Sequence, residues 1–137
     1  MKKPRYVLDS CALLAYLRAE PGDDEVKSLL EEAQKEQAEV YFSLINLGEV
    51  AYIVERRKGA AVADEAIEKV YSLPIFIADV DKKRILDAAH IKANHAISYA
   101  DAFAVALAKE LDAPVVTGDP EFKKVEPMVQ VFWLCGT

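Results

Sequence analysis

Four acidic residues sit in surroundings that do not readily account for a charge. Asp101 lies in ISYADAFAVALAKEL (residues 97–111), where no other side chain between Ser98 and Lys109 is charged and apolar residues fill every side of a helix. Glu49, in INLGEVAYIV, has Ile45 and Ile53 one helical turn away on either side, with Asn46 and Tyr52 three residues away. Asp9 follows the short β-rich run RYVL, and Asp119 follows VVTG. Each has an ordinary structural use. Asp9 suits a helix N-cap, Asp119 an Asp-Pro turn, and Glu49 a helix rim. Asp101 suits the first turn after a Ser98 cap. An unpaired buried carboxylate is costly, however. Four of them in one pocket repel unless protonated or bridged by a cation. An all-oxygen ligand set completed by water suits Mg²⁺ or Mn²⁺. The joint pattern therefore points to a metal site, with Asp101 facing the cation.

Such convergence needs a fold that brings distant segments to one edge. Strand patterns are predicted at Arg5 to Leu8, Val40 to Phe42, Ile75 to Ala78, around PVVTGD, and at Val129 to Leu134. Helical patterns lie between them: SCALLAYLRAE, then DDEVKSLLEEAQKEQ with acids in its first turn, then LINLGEVAYIVERRK from a Ser43 cap to Gly59. AAVADEAIEKVYSL, DKKRILDAAHIKANH and the Ile97 to Leu111 segment follow. Continuous apolar strands alternating with helices predict a three-layer α/β/α sandwich. Its central sheet is parallel, with about five strands, in one domain spanning residues 1–137. In such sheets ligands bind outside the carboxyl ends of the strands, near the switch in strand order. Asp9, Asp79 and the Thr117-Gly118-Asp119 turn lie just past strand ends.

Composition narrows the partners. The chain is 53% hydrophobic and 29% charged, with no run approaching a membrane span and no apolar leader after MKKPR. Cys11 and Cys135 lack metal-site or disulfide-scaffold spacing and read as reduced thiols of a cytoplasmic protein. A net charge of −6 argues against gripping nucleic acid through phosphates alone. A nucleic-acid role then needs a bound cation or a local patch, for which Arg56, Arg57 and Lys58 are the first candidates and Lys82, Lys83 and Arg84 weaker ones. His90 and His95 are five residues apart, so they do not share a helix face as zinc ligands do. Phe132 and Trp133 read as core, and Tyr16 and Tyr52 as a weak candidate dimer face.

VLDS after the first strand, INLGEV in the helix after the second, SYADA early in an Ala-rich helix and TGD after the fourth strand resemble the PIN-domain pattern. The resemblance covers essentially the whole chain, and at this length it is similar to VapC-type toxins of toxin–antitoxin pairs. It implies a Mg²⁺- or Mn²⁺-dependent endoribonuclease, usually a homodimer, inhibited by a cognate antitoxin. Asp9, Glu49, Asp101 and Asp119 would be the acidic quartet that holds the metal. Ser10, Asn46, Ser98 and Thr117 would support it, with Ser43 a weaker candidate and no role for Cys11. Asp9 and Asp101 are the expected direct ligands. Glu49 would ligate or orient water, and Asp119 would act through water.

Two other readings stay open. A phosphoacceptor receiver domain shares the layering, an Asp after the third strand (Asp79) and Thr117, but it needs paired acids after the first strand and a Lys after the last. VLDS has one acid and FWLCGT no Lys, and a phosphatase of the haloacid-dehalogenase type needs DxD where Cys11 intervenes. A PIN-like fold kept as an interaction or RNA-binding module without catalysis is the other alternative.

Overall fold

A computed structural model describes residues 2–135. The chain runs β1 (Arg5–Leu8), α1 (Ser10–Leu17), α2 (Asp23–Gln34), β2 (Glu39–Ser43), α3 (Leu44–Lys58) and α4 (Ala60–Ser72). It continues through β3 (Phe76–Ala78), α5 (Lys82–Asn94), α6 (Tyr99–Leu111), β4 (Val115–Thr117), a 3-10 helix (Pro120–Val125) and β5 (Val131–Trp133). The five strands form one parallel sheet in the order β3-β2-β1-β4-β5. The α/β layering and five-stranded parallel sheet are those expected from the sequence.

The strands are apolar on both sides because both faces are covered. Register pairs Val7 with Val115 and Leu8 with Val116. Val7 and Val115 then pack against Ala88 and Ile91 of α5 and the apolar residues of α6. Leu8 and Val116, with Val40 and Phe42 of β2, pack on the opposite face against Leu13, Leu29, Val50 and Val70 of α1 to α4. Every residue of α6 from Ala102 to Ala108 is buried, which explains its lack of a polar stripe. No helix among the described residues is long and apolar enough to cross a membrane.

Element boundaries shift for local reasons. The first helix stops at Leu17 rather than running through SCALLAYLRAE, since Ala19 takes a left-handed conformation (φ 52°) before Pro21. The sixth begins at Tyr99 because Ser98 spends its side chain as the cap. The last strand is confined to Val131–Trp133, as Val129 N–H still donates to Val125 O (3.1 Å) in the preceding turn. Gly59 ends α3 with φ 92°, a conformation that favours glycine.

Candidate active site

Strand order switches between β1 and β4, because the chain leaves β1 toward β2 while β4 returns on its other side. The crevice beyond their carboxyl ends is where an open parallel sheet accepts ligands. Asp9 follows β1 directly and Asp119 lies two residues past β4. Asp79 follows β3, the edge strand, and is exposed far from the switch in strand order. Its backbone carbonyl accepts from Arg84 Nη1 (2.7 Å), and Arg84 also clasps Glu110 of α6.

Asp9 is only 1% exposed. It caps α1, with Oδ1 accepting from Ala12 N–H (2.8 Å), and Oδ2 accepts from the Thr117 hydroxyl (2.5 Å). Buried Thr117 passes the connection on, its Oγ1 accepting from Asp119 N–H (2.9 Å). Asp119 in turn caps the 3-10 helix by accepting from Glu121 N–H (2.9 Å). The cap and turn uses anticipated for Asp9 and Asp119 are both real, and neither removes the carboxylates from the crevice.

The helical pair arrives differently. Asp101 stands in the first turn of α6, its backbone N–H donating to Ser98 Oγ (3.1 Å). Asn46, fully buried near the start of α3, joins the two halves. Ser10 Oγ donates to Asn46 O (3.3 Å), and Asn46 Nδ2 donates to Ala100 O (3.1 Å), beside Asp101. Glu49 lies three residues further along α3, half-buried, as are Asp101 and Asp119. Ser43 is committed to capping α3, accepting from Ile45 N–H (3.2 Å).

Charges in the crevice feel one another. Burial pushes the Asp9 carboxyl up to about 8 against the opposing pull of the Thr117 and Ala12 hydrogen bonds, and the charges of Asp101 and Asp119 add to the rise. Burial likewise raises Asp101 to about 6, with Ser98 lowering it and Glu49, Asp119 and Glu121 raising it further. Cys11 is drawn in too. Burial and then the Asp9 charge hold its thiol up to about 11, although the Gly118 backbone N–H favours the thiolate. Both Cys11 and Cys135 are free thiols.

The charges of Asp9, Asp101 and Asp119 thus act on one another, and that of Glu49 on Asp101. Thr117 and Ser98 bond Asp9 and Asp101, while Ser10 and Asn46 bond Asn46 O and Ala100 O. Among the described residues no group of three or more His, Cys, Asp or Glu side chains is arranged so that it could hold an ion as it stands. Donor chemistry fits a hard cation: the candidate donors are carboxylate oxygens, and Asn46 Oδ1 is buried without a hydrogen-bond donor.

Sequence reasoning passed over two residues at this edge. Glu121 adds a fifth acid beside Asp101, and Lys124 bonds to it. EFKKV reads only as a short turn, and nothing local shows that it faces the segment before α6, 28 residues earlier. Of the remaining candidates, Arg56 lies over the Tyr52 ring at 5.2 Å. Tyr16 packs against the core, His90 is exposed, and Phe132 and Trp133 pack on opposite faces of the sheet.

Comparison with known proteins bears on the fold and the family. No curated protein matches the chain in sequence. Among solved structures, the DNA-bound VapBC complex of Salmonella typhimurium matches with TM-score 0.74 at 19% identity, covering 96% of this chain and 99% of the other. VapC20 of Mycobacterium tuberculosis, a sarcin–ricin loop cleaving toxin, matches with TM-score 0.69 at 20% identity over 86% and 92% of the two chains. FitAcB of Neisseria gonorrhoeae matches with TM-score 0.67 at 25% identity over 96% and 99%. The PIN domain pattern itself matches residues 6–126, most of the chain, which therefore belongs to the PIN-domain family.

Proposed function

We propose that the chain is a single-domain, Mg²⁺- or Mn²⁺-dependent endoribonuclease that acts in the cytoplasm as the toxin of a toxin–antitoxin pair. The observation that supports this reading is that Asp9, Asp101 and Asp119 feel one another's charges, with Glu49 acting on Asp101, near the β1/β4 switch. The similar structures include toxin–antitoxin complexes and a toxin that cleaves the sarcin–ricin loop.

In this reading Asp9 and Asp101 hold the cation directly, Glu49 ligates or orients water, and Asp119 acts through water. A bound divalent ion would polarise the scissile phosphate, lower the pKa of a water and stabilise charge on the leaving oxygen. The protein's own groups prepare for it. Thr117 and Ala12 N–H fix both oxygens of Asp9, so the carboxylate cannot swing away. Asn46 keeps the start of α3 against that of α6, holding Glu49 near Asp101. A cation between the acids also answers the charge problem of an acidic protein meeting a polyanion.

Purified protein should cleave a structured RNA pool with Mg²⁺ or Mn²⁺, and excess chelator should stop it. Absence of cleavage with either ion would sink the nuclease reading in favour of an interaction module on the same fold.

We also propose that the chain pairs with itself and with a cognate antitoxin. Tyr52, Val62, Tyr71, Phe76 and Leu86 are large apolar side chains left substantially exposed. Light scattering at micromolar concentration should give twice the 15.2 kDa chain mass, and a clean monomer would refute self-association.

A further inference from the structure

Hydrogen bonds and short stretches of backbone together link the segments that carry Asp9, Asp119 and Asp101, and one half-exposed lysine supplies a link at the surface. On one side they pass from Asp9 through Ser10 and Asn46 to Ala100, next to Asp101. On the other they pass from Asp9 through Thr117 and Asp119 to Glu121. That second arc reaches the surface at Glu121, beside the segment before α6, with which Phe122 and Val125 share a core through Ile97. Lys124 bridges the two: its Nζ donates to Glu121 Oε2 (2.5 Å) and to Ala96 O (3.0 Å). Ala96 lies in the segment that delivers Ser98, the cap that orients the first turn of α6 and Asp101 within it.

We propose that Lys124 is a positioning residue of the acidic site: by tying the 3-10 helix to the segment before α6, it sets the separation of the Asp119 and Asp101 carboxylates and so the site's affinity for a divalent cation. The proposal rests on the metal-dependent reading above.

Stability does not explain the arrangement. Both side chains of the pair are about half exposed, at 47% and 52%, where an ion pair contributes little to folding. What the contact does supply is a span across 28 residues of sequence between two elements that each carry a candidate ligand. Its flanks are firm: Phe122 and Val125, on either side of Lys124, are fully buried, and so anchor the turn from which the lysine reaches. Ile97, next to Ala96, is buried as well. Lys124 therefore adds a polar link at the surface between two segments that share one core.

Charge alone predicts the opposite of positioning, which makes the test decisive. An ammonium near a cation site repels the cation, so removing a bystander lysine should tighten metal binding. Removing a strap should weaken it. We expect Lys124→Met to bind Mn²⁺ about tenfold more weakly by isothermal titration calorimetry, the scale of losing a group that orients a ligand. Lys124→Arg, which keeps the charge and can span both acceptors, should stay within about threefold of wild type by the same reasoning. The ion-free melting midpoint of Lys124→Met should move by no more than about 2 °C. Unchanged or tighter Mn²⁺ binding by Lys124→Met would overturn the positioning role. If the wild-type protein takes up no Mn²⁺, the nuclease reading falls instead, and amide exchange decides the strap alone. Exchange at Glu121 and Asp101 in the ion-free protein should be faster in Lys124→Met, and identical rates would overturn the proposal.

Discussion

Asp9→Asn is expected to lower divalent-ion-dependent RNA cleavage by on the order of a hundredfold or more, since losing even a group that supports a ligand costs 10- to 100-fold. The fold should survive. Asparagine is as good an N-cap as aspartate, so its Oδ1 can keep the bond from Ala12 N–H. Its amide nitrogen then faces Thr117, whose hydroxyl must accept where it now donates. That hydroxyl has two lone pairs and uses one for Asp119 N–H, leaving one free. What asparagine cannot replace is the negative charge and second anionic oxygen that would bind the ion. Asp79→Asn is the matched control. Asp79 also ends a strand, but β3 is at the sheet edge, away from the β1/β4 crevice, so cleavage should stay within about twofold, the range of a surface change. A phosphoacceptor mechanism centred on Asp79 predicts the reverse ranking. Circular dichroism confirms the fold, and cleavage by Asp9→Asn at the wild-type rate would sink the assignment.

The layering was legible because it rests on local pattern. Strands such as VVT, buried throughout and without polar alternation, suit a sheet covered on both faces, and the alternation with helices leaves little other topology. Both caps at the crevice were legible for the same reason, since Asp9 and Ser98 each bond a residue three positions on. The four acids stood out in the sequence only as a coincidence of four odd placements. What sequence could not show is how the acids are held. Thr117 reaches Asp9 across 108 residues, Asn46 reaches Ala100 across 54, and Lys124 reaches Ala96 across 28. Contacts of that span leave no periodicity to read. Glu121 was missed because an acid after Asp-Pro looks like turn chemistry, and the electrostatic link to Asp101 exists only once the turn is folded over α6.

Asp101→Asn should separate a metal-binding Asp101 from one that merely caps a helix, by melting alone. In the ion-free protein both Asp9 and Asp101 have carboxyls raised above their ordinary value of 3.8, to about 8 and about 6. A folded state that holds its proton longer than the unfolded chain loses stability as pH rises between the two values. The ion-free wild type should therefore weaken from about pH 4 upward, Asp101 contributing up to about pH 6 and Asp9 up to about pH 8, with no further loss from either above that. Asp101→Asn removes its share and relieves the raised Asp9, so at pH 7 the ion-free variant should melt no lower than wild type. The N-cap bond is kept, because it comes from the Asp101 backbone N–H, although asparagine loses the Ser98 hydrogen bond that favours the ionised carboxylate. Saturating Mg²⁺ inverts the order. At a hundred times its dissociation constant an ion bound only to the folded state adds about 2.7 kcal/mol, on the order of 5–10 °C for a domain of this size. The wild type should gain that shift and the variant almost none. If Asp101 were a capping residue alone, losing its charge beside the N-terminus of α6 would cost roughly 0.3–1 kcal/mol with or without the ion. A variant that is destabilised in both conditions, and responds to Mg²⁺ as fully as wild type, would place the metal elsewhere.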